Sequence, residues 1–137
     1  MKERKHLFRA FNKEDGEMWH VRTINFDKGL VWLVESDSNE EQAFPMEMNN
    51  VELMEYINLN DKNKKKMYEK DICTDGKRIF IIFSCPGGFG ICLLTEWIQT
   101  GGNPIIYEGL SDAQNASWAN HNLEIIGNLY QNQELLQ

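Results

Sequence analysis

Residues 51–73 read VELMEYINLNDKNKKKMYEKDIC, and they contain two apolar runs, 53–59 and 67–72, joined by a lysine-rich turn. The Asp-Lys-Asn-Lys at 61–64 is a turn signal, because an Asp side chain accepts hydrogen bonds from nearby backbone amides and Asn tolerates a positive φ. Both runs are too short for a stable helix and contain Tyr or Ile, which favour strands. The stretch therefore predicts two extended segments, and the second enters its strand near Asp71.

Three short segments before this stretch are apolar or alternate between apolar and polar residues: 7–11, 18–26 and 30–34. The Asp-Gly pair at 15–16 is a strong hairpin signal, so the segments predict an antiparallel meander of three or four strands. Residues 35–50 are acidic and polar and contain Pro45. They predict a loop, which Phe44 and Met46 hold to the body of the protein.

An apolar hairpin dominates the C-terminal side. Residues 77–83 and 89–94 flank a Pro-Gly-Gly turn at 86–88, and both faces of the hairpin are apolar. Other parts of the chain, or another subunit, must therefore cover it. Residues 123–130 predict a closing strand in which Gly127 marks a bulge or a close crossing.

The remaining C-terminal segments predict only short elements. In chain order these are a short helix beginning at 96–98 and ending before the glycines at 101–102, a short strand at 105–107, a polar loop at 111–120, and one helical turn at 132–136 capped by Asn132.

These patterns predict a mainly β fold with little helix. Residues 1–50 are expected to form an N-terminal antiparallel meander with an acidic loop, and residues 51–137 a small SH3-like β-barrel. The composition, 42% hydrophobic and 26% charged over 137 residues, is ordinary for a globular protein. No run of 18 apolar residues exists, so no membrane span is expected, and the start MKERKHLFRAF lacks the features of a secretory signal. A cytoplasmic location is therefore expected.

The net charge of −7 argues against duplex nucleic acid as a partner, because phosphate binding needs clustered Lys and Arg. Two local basic clusters exist: Lys2, Arg4, Lys5 and Arg9 at the start, and Lys62, Lys64, Lys65, Lys66 and Lys70 in the central turn. We interpret both as solvated charge, and a nucleic-acid accessory role for the turn at 62–70 stays open as an alternative. Three cysteines without a C-x-x-C pair and three scattered histidines predict neither a disulfide nor a metal site.

Few residues are arranged for catalysis. The common nucleotide-binding, hydrolase and zinc-protease motifs are absent, and the glycine-rich CPGGFG lies between two apolar runs, as a hairpin loop does. Asp61, Glu69 and Asp71 could bind a cation or act as acid and base, although Asp in a turn more often accepts hydrogen bonds from backbone amides. With Tyr56 and Tyr68 they are the candidate binding residues. No catalytic residue, metal or cofactor is predicted.

Three stretches resemble one protein family. LMEYINLNDKNKKKMYEKDI at 53–72 resembles L-M-Q-Y-T-G-L-x-D-K-N-G-K-x-I-Y-E-G-D-I, the usual string of the YopX-like family of phage and prophage proteins. LFRAFNKEDGEMW at 7–19 is similar to the family's F-R-A-W-D-x-x-x-x-x-M-Y opening, and LEIIGNLYQNQELL at 123–136 to its E-V-I-G-N-I-Y-E-N-P-E-L-L tail. The three matches follow the family's order, so the resemblance covers the whole chain.

Three departures from this string concern glycine. Asn58, Lys64 and Lys70 stand where the family usually has Gly, a residue used where φ is positive or backbones approach closely. Asn tolerates the left-handed region, whereas Lys adopts it at a cost of about 1 kcal/mol. We therefore expect Asn58 to keep the family's backbone and the turns at Lys64 and Lys70 to differ.

The resemblance implies a phage-encoded protein that acts in the host cytoplasm, and it is also consistent with a homo-oligomer. Self-association would cover the apolar hairpin and the many sheet edges. The favoured hypothesis is a non-enzymatic homo-oligomeric binding or interaction module, whose target is a host protein or a small anionic molecule held between subunits. The alternatives are a cation-assisted enzyme that uses the three carboxylates, and the nucleic-acid accessory protein.

Overall fold

The computed structural model describes residues 7–35 and 42–137. Mainly β structure is present in these residues, with two short α-helices. The strands are β1 (Phe8–Asn12), β2 (Met18–Asn25), β3 (Leu30–Val34), β4 (Phe44–Glu47), β5 (Val51–Asn60), β6 (Lys66–Tyr68), β7 (Asp71–Thr74), β8 (Ile79–Cys85), β9 (Gly88–Leu93), β10 (Glu108–Gly109) and β11 (Glu124–Asn128). The helices are α1 (Leu94–Gln99) and α2 (Ala113–Asn122), with 3₁₀ turns at Met48–Asn50 and Gln133–Leu136.

The chain forms two compact units, Met1–Glu55 and Tyr56–Gln137, which we call the N-terminal and C-terminal units. The boundary lies inside β5, whereas the sequence suggested a division at the start of this strand, between residues 50 and 51. Each unit contains its own apolar cluster and is described separately below.

The N-terminal unit is the predicted antiparallel meander. Its strands lie in the order β4-β3-β2-β1, and the first half of β5 pairs with β1. The interpretation of 35–50 as a loop was wrong for Phe44–Glu47, because Phe44 and Met46 alternate inward and pair with Leu33 and Val31 of β3. Residues 36–41 lie outside the described residues.

An antiparallel five-stranded sheet forms the body of the C-terminal unit, in the order β10-β9-β8-β7-β11. The second half of β5 and β6 form a separate pair there, with Tyr56 opposite Tyr68. In the described part of the chain the edge strands β10 and β11 do not pair with each other, and no closed barrel is found. The predicted SH3-like barrel is therefore not confirmed, although the hairpin of β8 and β9 is present.

Both faces of this hairpin are largely covered within the chain. On one face, Phe80, Ile82 and Ile91 pack with Trp118 and Ala119 of α2. On the opposite face are the residues that alternate with these, and they pack with α1 and the C-terminal 3₁₀ turn: Ile72, Ile81, Phe83, Cys92, Leu94, Trp97, Leu135 and Leu136. The hairpin therefore needs no second subunit to bury most of its two apolar faces.

Helix α2 replaces the loop that the sequence predicted at 111–120. Asp112 caps it, accepting a hydrogen bond from the backbone N–H of Asn115 at 3.2 Å. The helix is mostly polar, and its buried side is limited to a few residues such as Ala119 and the half-buried Trp118. The helical spacing of apolar residues is therefore weak in this part of the sequence. The prediction of a strand at 105–107 was also wrong, because the strand in this region, β10, begins at Glu108. Among the described residues, no helix has the length and apolar character needed to cross a bilayer.

All three residues that replace family glycines have positive φ: 65° at Asn58, 67° at Lys64 and 68° at Lys70. The two lysines as well as Asn58 therefore adopt the left-handed conformation that favours glycine. Backbone hydrogen bonds hold both lysines in this conformation, because Lys64 N–H donates to Asp61 O at 2.9 Å and Lys70 N–H to Ile82 O at 2.7 Å. The lysines therefore bear the strain that glycine would avoid.

Candidate functional site

The two candidate tyrosines form a buried pair. Tyr56 and Tyr68 face each other across β5 and β6, and their ring centroids are 5.7 Å apart. The Tyr56 hydroxyl donates a hydrogen bond to Oδ1 of Asn60 at 2.8 Å, and burial raises the pKa of this phenol. Both side chains are more than nine-tenths buried, so they contribute chiefly to the core of the C-terminal unit.

Asp61 is 3% exposed, and its carboxylate accepts hydrogen bonds from three backbone amides. Oδ1 accepts hydrogen bonds from Asn63 N–H and Lys65 N–H, both at 2.9 Å, and Oδ2 accepts one from Ile125 N–H at 3.0 Å. One carboxylate thus closes the lysine-rich turn and ties it to β11. Charge-assisted hydrogen bonds of this kind are among the stronger ones in proteins.

Asp71 has a similar structural role, and Glu69 lies half-buried in the turn between β6 and β7. Asp71 is 1% exposed, and its Oδ2 accepts a hydrogen bond from Tyr68 N–H at 2.8 Å. Within residues 7–35 and 42–137, no group of three or more His, Cys, Asp and Glu side chains could hold a metal ion. The three candidate carboxylates therefore do not come together as a set of metal ligands.

The basic turn divides into two kinds of lysine. The side chains of Lys62, Lys64, Lys65 and Lys66 are exposed. Lys70 instead places its Nζ 4.6 Å from the centroid of the Trp97 ring, a cation–π contact. The exposure of the four lysines at 62 and 64–66 is consistent with solvated charge at the turn.

A cleft of about 650 Å³ lies in the C-terminal unit, on the α2 side of the sheet. Register partners on β8 and β9, Phe80 and Leu93, form its floor together with Ile91. Trp118 of α2 forms one wall and packs edge-on against Phe80 with ring centroids 5.9 Å apart. Leu93 is 41% exposed on this floor.

Residues 106–108 also line the cleft, in a segment that Glu96 of α1 holds in place. Oε2 of Glu96 accepts hydrogen bonds from the backbone N–H groups of Ile105 and Ile106, at 2.9 and 3.2 Å. These two isoleucines are 82% and 76% exposed. The segment therefore presents apolar side chains at the mouth of the cleft, while its backbone is fixed by a carboxylate.

Arg78 is the basic residue of the cleft lining, and it is already paired. Its Nη2 lies 3.0 Å and its Nε 3.2 Å from Oδ2 of Asp75, and its guanidinium carbon is 5.0 Å from the Phe80 ring centroid. Hydrogen bonds from the backbone N–H groups of Arg78 and Lys77 lower the pKa of Asp75 to about 2. Asp75 is therefore ionised near neutral pH and balances the charge of Arg78.

The thiol that lines the cleft is not activated. Burial, followed by the nearby charge of Glu96, raises the pKa of Cys92 to about 11. Because the thiolate is the reactive form, Cys92 is a weak nucleophile near neutral pH. The cleft can bind and orient a ligand by apolar contact and by its charged rim.

Sequence reasoning did not find this cleft. Phe80 and Leu93 were predicted only as hairpin residues, and Trp118 was placed in a loop. A signal did exist in Asp112, followed by a helix-compatible Ala-Gln-Asn-Ala, which is typical of a capped helix. That helix would have placed Trp118 over a strand, but the contact itself depends on tertiary packing.

One solved structure is similar in fold, and one family model matches the sequence. The crystal structure of protein EF1440 from Enterococcus faecalis is similar, with a TM-score of 0.64 and 18% sequence identity, over 98% of this chain and 100% of that chain. At this identity the likeness shows the fold alone. No curated protein gives a significant match. The family model described as YopX protein matches residues 7–137, nearly the whole chain, and the protein therefore belongs to the YopX family.

Proposed function

We propose that this chain is a phage- or prophage-encoded, non-enzymatic binding module that holds its ligand in the cleft of the C-terminal unit. One observation carries the proposal: an open cleft of about 650 Å³ has an apolar and aromatic floor with a few charged groups at its rim. Ligand sites in proteins are typically concave, apolar and about 300–1,000 Å³ in volume. The phage origin rests on the family resemblance.

The polar groups support binding in preference to catalysis. Glu96 bonds to the backbone, Arg78 is paired with Asp75, and the pKa of Cys92 is raised. In the family's signature stretch, Asp61 and Asp71 also bond to backbone amides. Catalytic acids, bases and nucleophiles need a poised pKa and a reacting partner, and these carboxylates instead stabilise the fold.

A matched pair of variants tests the cleft. The probe is 2-phenylethanol, an uncharged molecule with an aromatic body, titrated into ¹⁵N-labelled protein. We expect the amide signals of Leu93, Leu110 and Trp118 to shift, and Leu93→Trp to abolish these shifts by filling the floor. The control is Ile79→Trp, because Ile79 is also 41% exposed and alternates to the other face of β8.

Two results would refute this proposal. One is a titration in which the cleft signals do not move. The other is a set of shifts that Leu93→Trp and Ile79→Trp reduce equally. The dispersion of the spectra shows directly whether each variant is folded, so a loss of binding is not confused with a loss of structure.

We also propose that the protein acts as a homo-oligomer. Since the chain itself largely covers both faces of the hairpin, the support comes from exposed apolar residues, above all Ile105 at 82%. Light scattering measures the mass of the particle, and Ile105→Asp is expected to lower it. Asn103→Asp, which adds the same charge at an exposed polar residue two positions away, is the control. A monomer at all accessible concentrations would disprove self-association.

A further inference from the structure

We infer that the ligand of the cleft is a small organic cation, in which an apolar body carries an amine or a similar positively charged group. This inference rests on the proposed binding function of the cleft. It departs from the small anionic ligand that the sequence suggested, and the charges around the cleft are the reason.

The charges that line the cleft do not cancel. The lining contains Arg78, Glu96 and Glu108, and the charge of Arg78 is balanced by Asp75 at 3.0 Å. The negative charges of Glu96 and Glu108 are therefore not balanced by another basic side chain of the cleft lining. The whole chain, with a net charge of −7, adds an attractive field for cations and a repulsive one for anions.

Both carboxylates retain acceptor capacity. Oε2 of Glu96 accepts hydrogen bonds from the backbone N–H groups of Ile105 and Ile106, and its Oε1 accepts no hydrogen bond from the described residues. Glu108 belongs to β10, opposite Ile91, and its exposed side chain has no hydrogen bond or ion pair within the described ranges. A protonated amine in the cleft can therefore contact a carboxylate oxygen without displacing a protein group.

The aromatic lining favours the same ligand. Trp118 and Tyr107 line the cleft beside Phe80, and the faces of aromatic rings attract cations. This C-terminal unit already contains two such contacts, Arg78 over Phe80 and Lys70 over Trp97. An anion would meet the two carboxylates, and it would find Arg78, the positively charged residue of the lining, already paired with Asp75.

Three probes with nearly the same aromatic body separate charge from shape: phenethylamine, 2-phenylethanol and 3-phenylpropanoate. At pH 7 and low salt we expect the amine to bind most tightly, the alcohol less tightly and the carboxylate weakest. The advantage of the amine over the alcohol should shrink in 0.5 M salt, roughly as screening of an exposed ion pair predicts.

A charge variant then locates the contact. We expect Glu108→Gln to weaken phenethylamine about threefold, the scale of one exposed ion pair, and to leave 2-phenylethanol unchanged. Glu17→Gln in the N-terminal unit removes the same charge outside the cleft and should affect neither probe. Two results would overturn the inference. One is binding of 3-phenylpropanoate that is as tight as, or tighter than, that of phenethylamine. The other is a Glu108→Gln variant that binds phenethylamine as tightly as the wild type. Binding of 2-phenylethanol reports on the proposed function independently, so the two failures are distinguishable.

Discussion

Asp61 and Ile125 are 64 residues apart in the sequence, yet Oδ2 of Asp61 accepts a hydrogen bond from Ile125 N–H at 3.0 Å. A second bond strengthens this link, because the N–H of Lys62 donates to Leu123 O at 2.8 Å. The lysine-rich turn and β11 belong to the central and C-terminal stretches that resemble the family string. In the structure, Asp61 connects these two stretches directly.

Replacing Asp61 is therefore expected to destabilise the C-terminal unit strongly. Asp61→Ala leaves three backbone N–H groups without their acceptor, and we expect a loss of about 2–4 kcal/mol in the free energy of unfolding. Asp61→Asn keeps one acceptor oxygen and should cost less. Urea unfolding at pH 7 measures both, and Asp27→Ala, in an exposed turn, is the control. If Asp61→Ala were as stable as that control, the side chain would not link the turn to β11.

An element of the fold could be predicted where neighbouring residues in the sequence indicate it, and not where it depends on contacts between distant residues. The strands around the turn were found because runs of apolar residues ended at turn residues, and Asp71 indeed begins β7. Helix α2 and strand β4 were missed, since one is mostly polar and the other is a four-residue edge strand with Pro45 inside it. The cleft was missed because it depends on Trp118 meeting Phe80, a tertiary contact that no local period encodes.

The positive φ of Lys64 predicts a stabilising substitution. Lys64→Gly relieves a left-handed conformation that costs about 1–2 kcal/mol. It also adds chain entropy to the unfolded state worth about 0.5–1 kcal/mol, so the expected net gain is about 0.5–1 kcal/mol. Lys65→Gly, next to it and without a positive φ, should instead destabilise.

Lys70→Gly should gain less than Lys64→Gly. The same strain is relieved, but the contact of Lys70 Nζ with the Trp97 ring at 4.6 Å is lost. A cation–π contact of this type is worth about 0.5–1 kcal/mol, which nearly offsets the gain. Thermal and urea unfolding of the three glycine variants give the order of stability. A result in which Lys64→Gly and Lys65→Gly change stability in the same direction would show that strain at Lys64 is not significant.

Gly127 is expected to tolerate no side chain. It lies at the register shift between β11 and β7, and a Cβ built on it would be 2.6 Å from Cγ and Oδ1 of Asn132. Asn132 cannot move freely, because its Oδ1 accepts a hydrogen bond from Asn128 N–H at 2.9 Å. Asn132 is the N-cap residue of the last helical turn, as the sequence predicted, but its side chain makes no capping hydrogen bond and its Oδ1 accepts the bond from Asn128 instead.

Gly127→Ala should therefore cost about 1–3 kcal/mol, the usual range for overpacking. Gly109→Ala is the matched control, since a Cβ there meets no atom within 4 Å. In the double variant Gly127→Ala/Asn132→Ala the two changes should be less than additive, because Asn132→Ala removes Cγ and Oδ1, the two atoms at 2.6 Å, and leaves only its Cβ at 3.0 Å. Full additivity in urea unfolding would mean that the glycine is needed for another reason.

The Asp75 carboxylate gives a pH dependence with a defined sign. Hydrogen bonds from the N–H groups of Arg78 and Lys77 lower its pKa from 3.8 to about 2, so ionised Asp75 stabilises the fold above about pH 4. This stabilisation is lost as the pH falls toward 2. Asp75→Asn should lower the urea midpoint at pH 7, and its difference from the wild type should narrow between pH 4 and pH 2, where the wild-type side chain also becomes neutral. Asp27→Asn controls for the loss of one charge. A difference that stays constant over this range would assign the effect to hydrogen-bond geometry instead of charge.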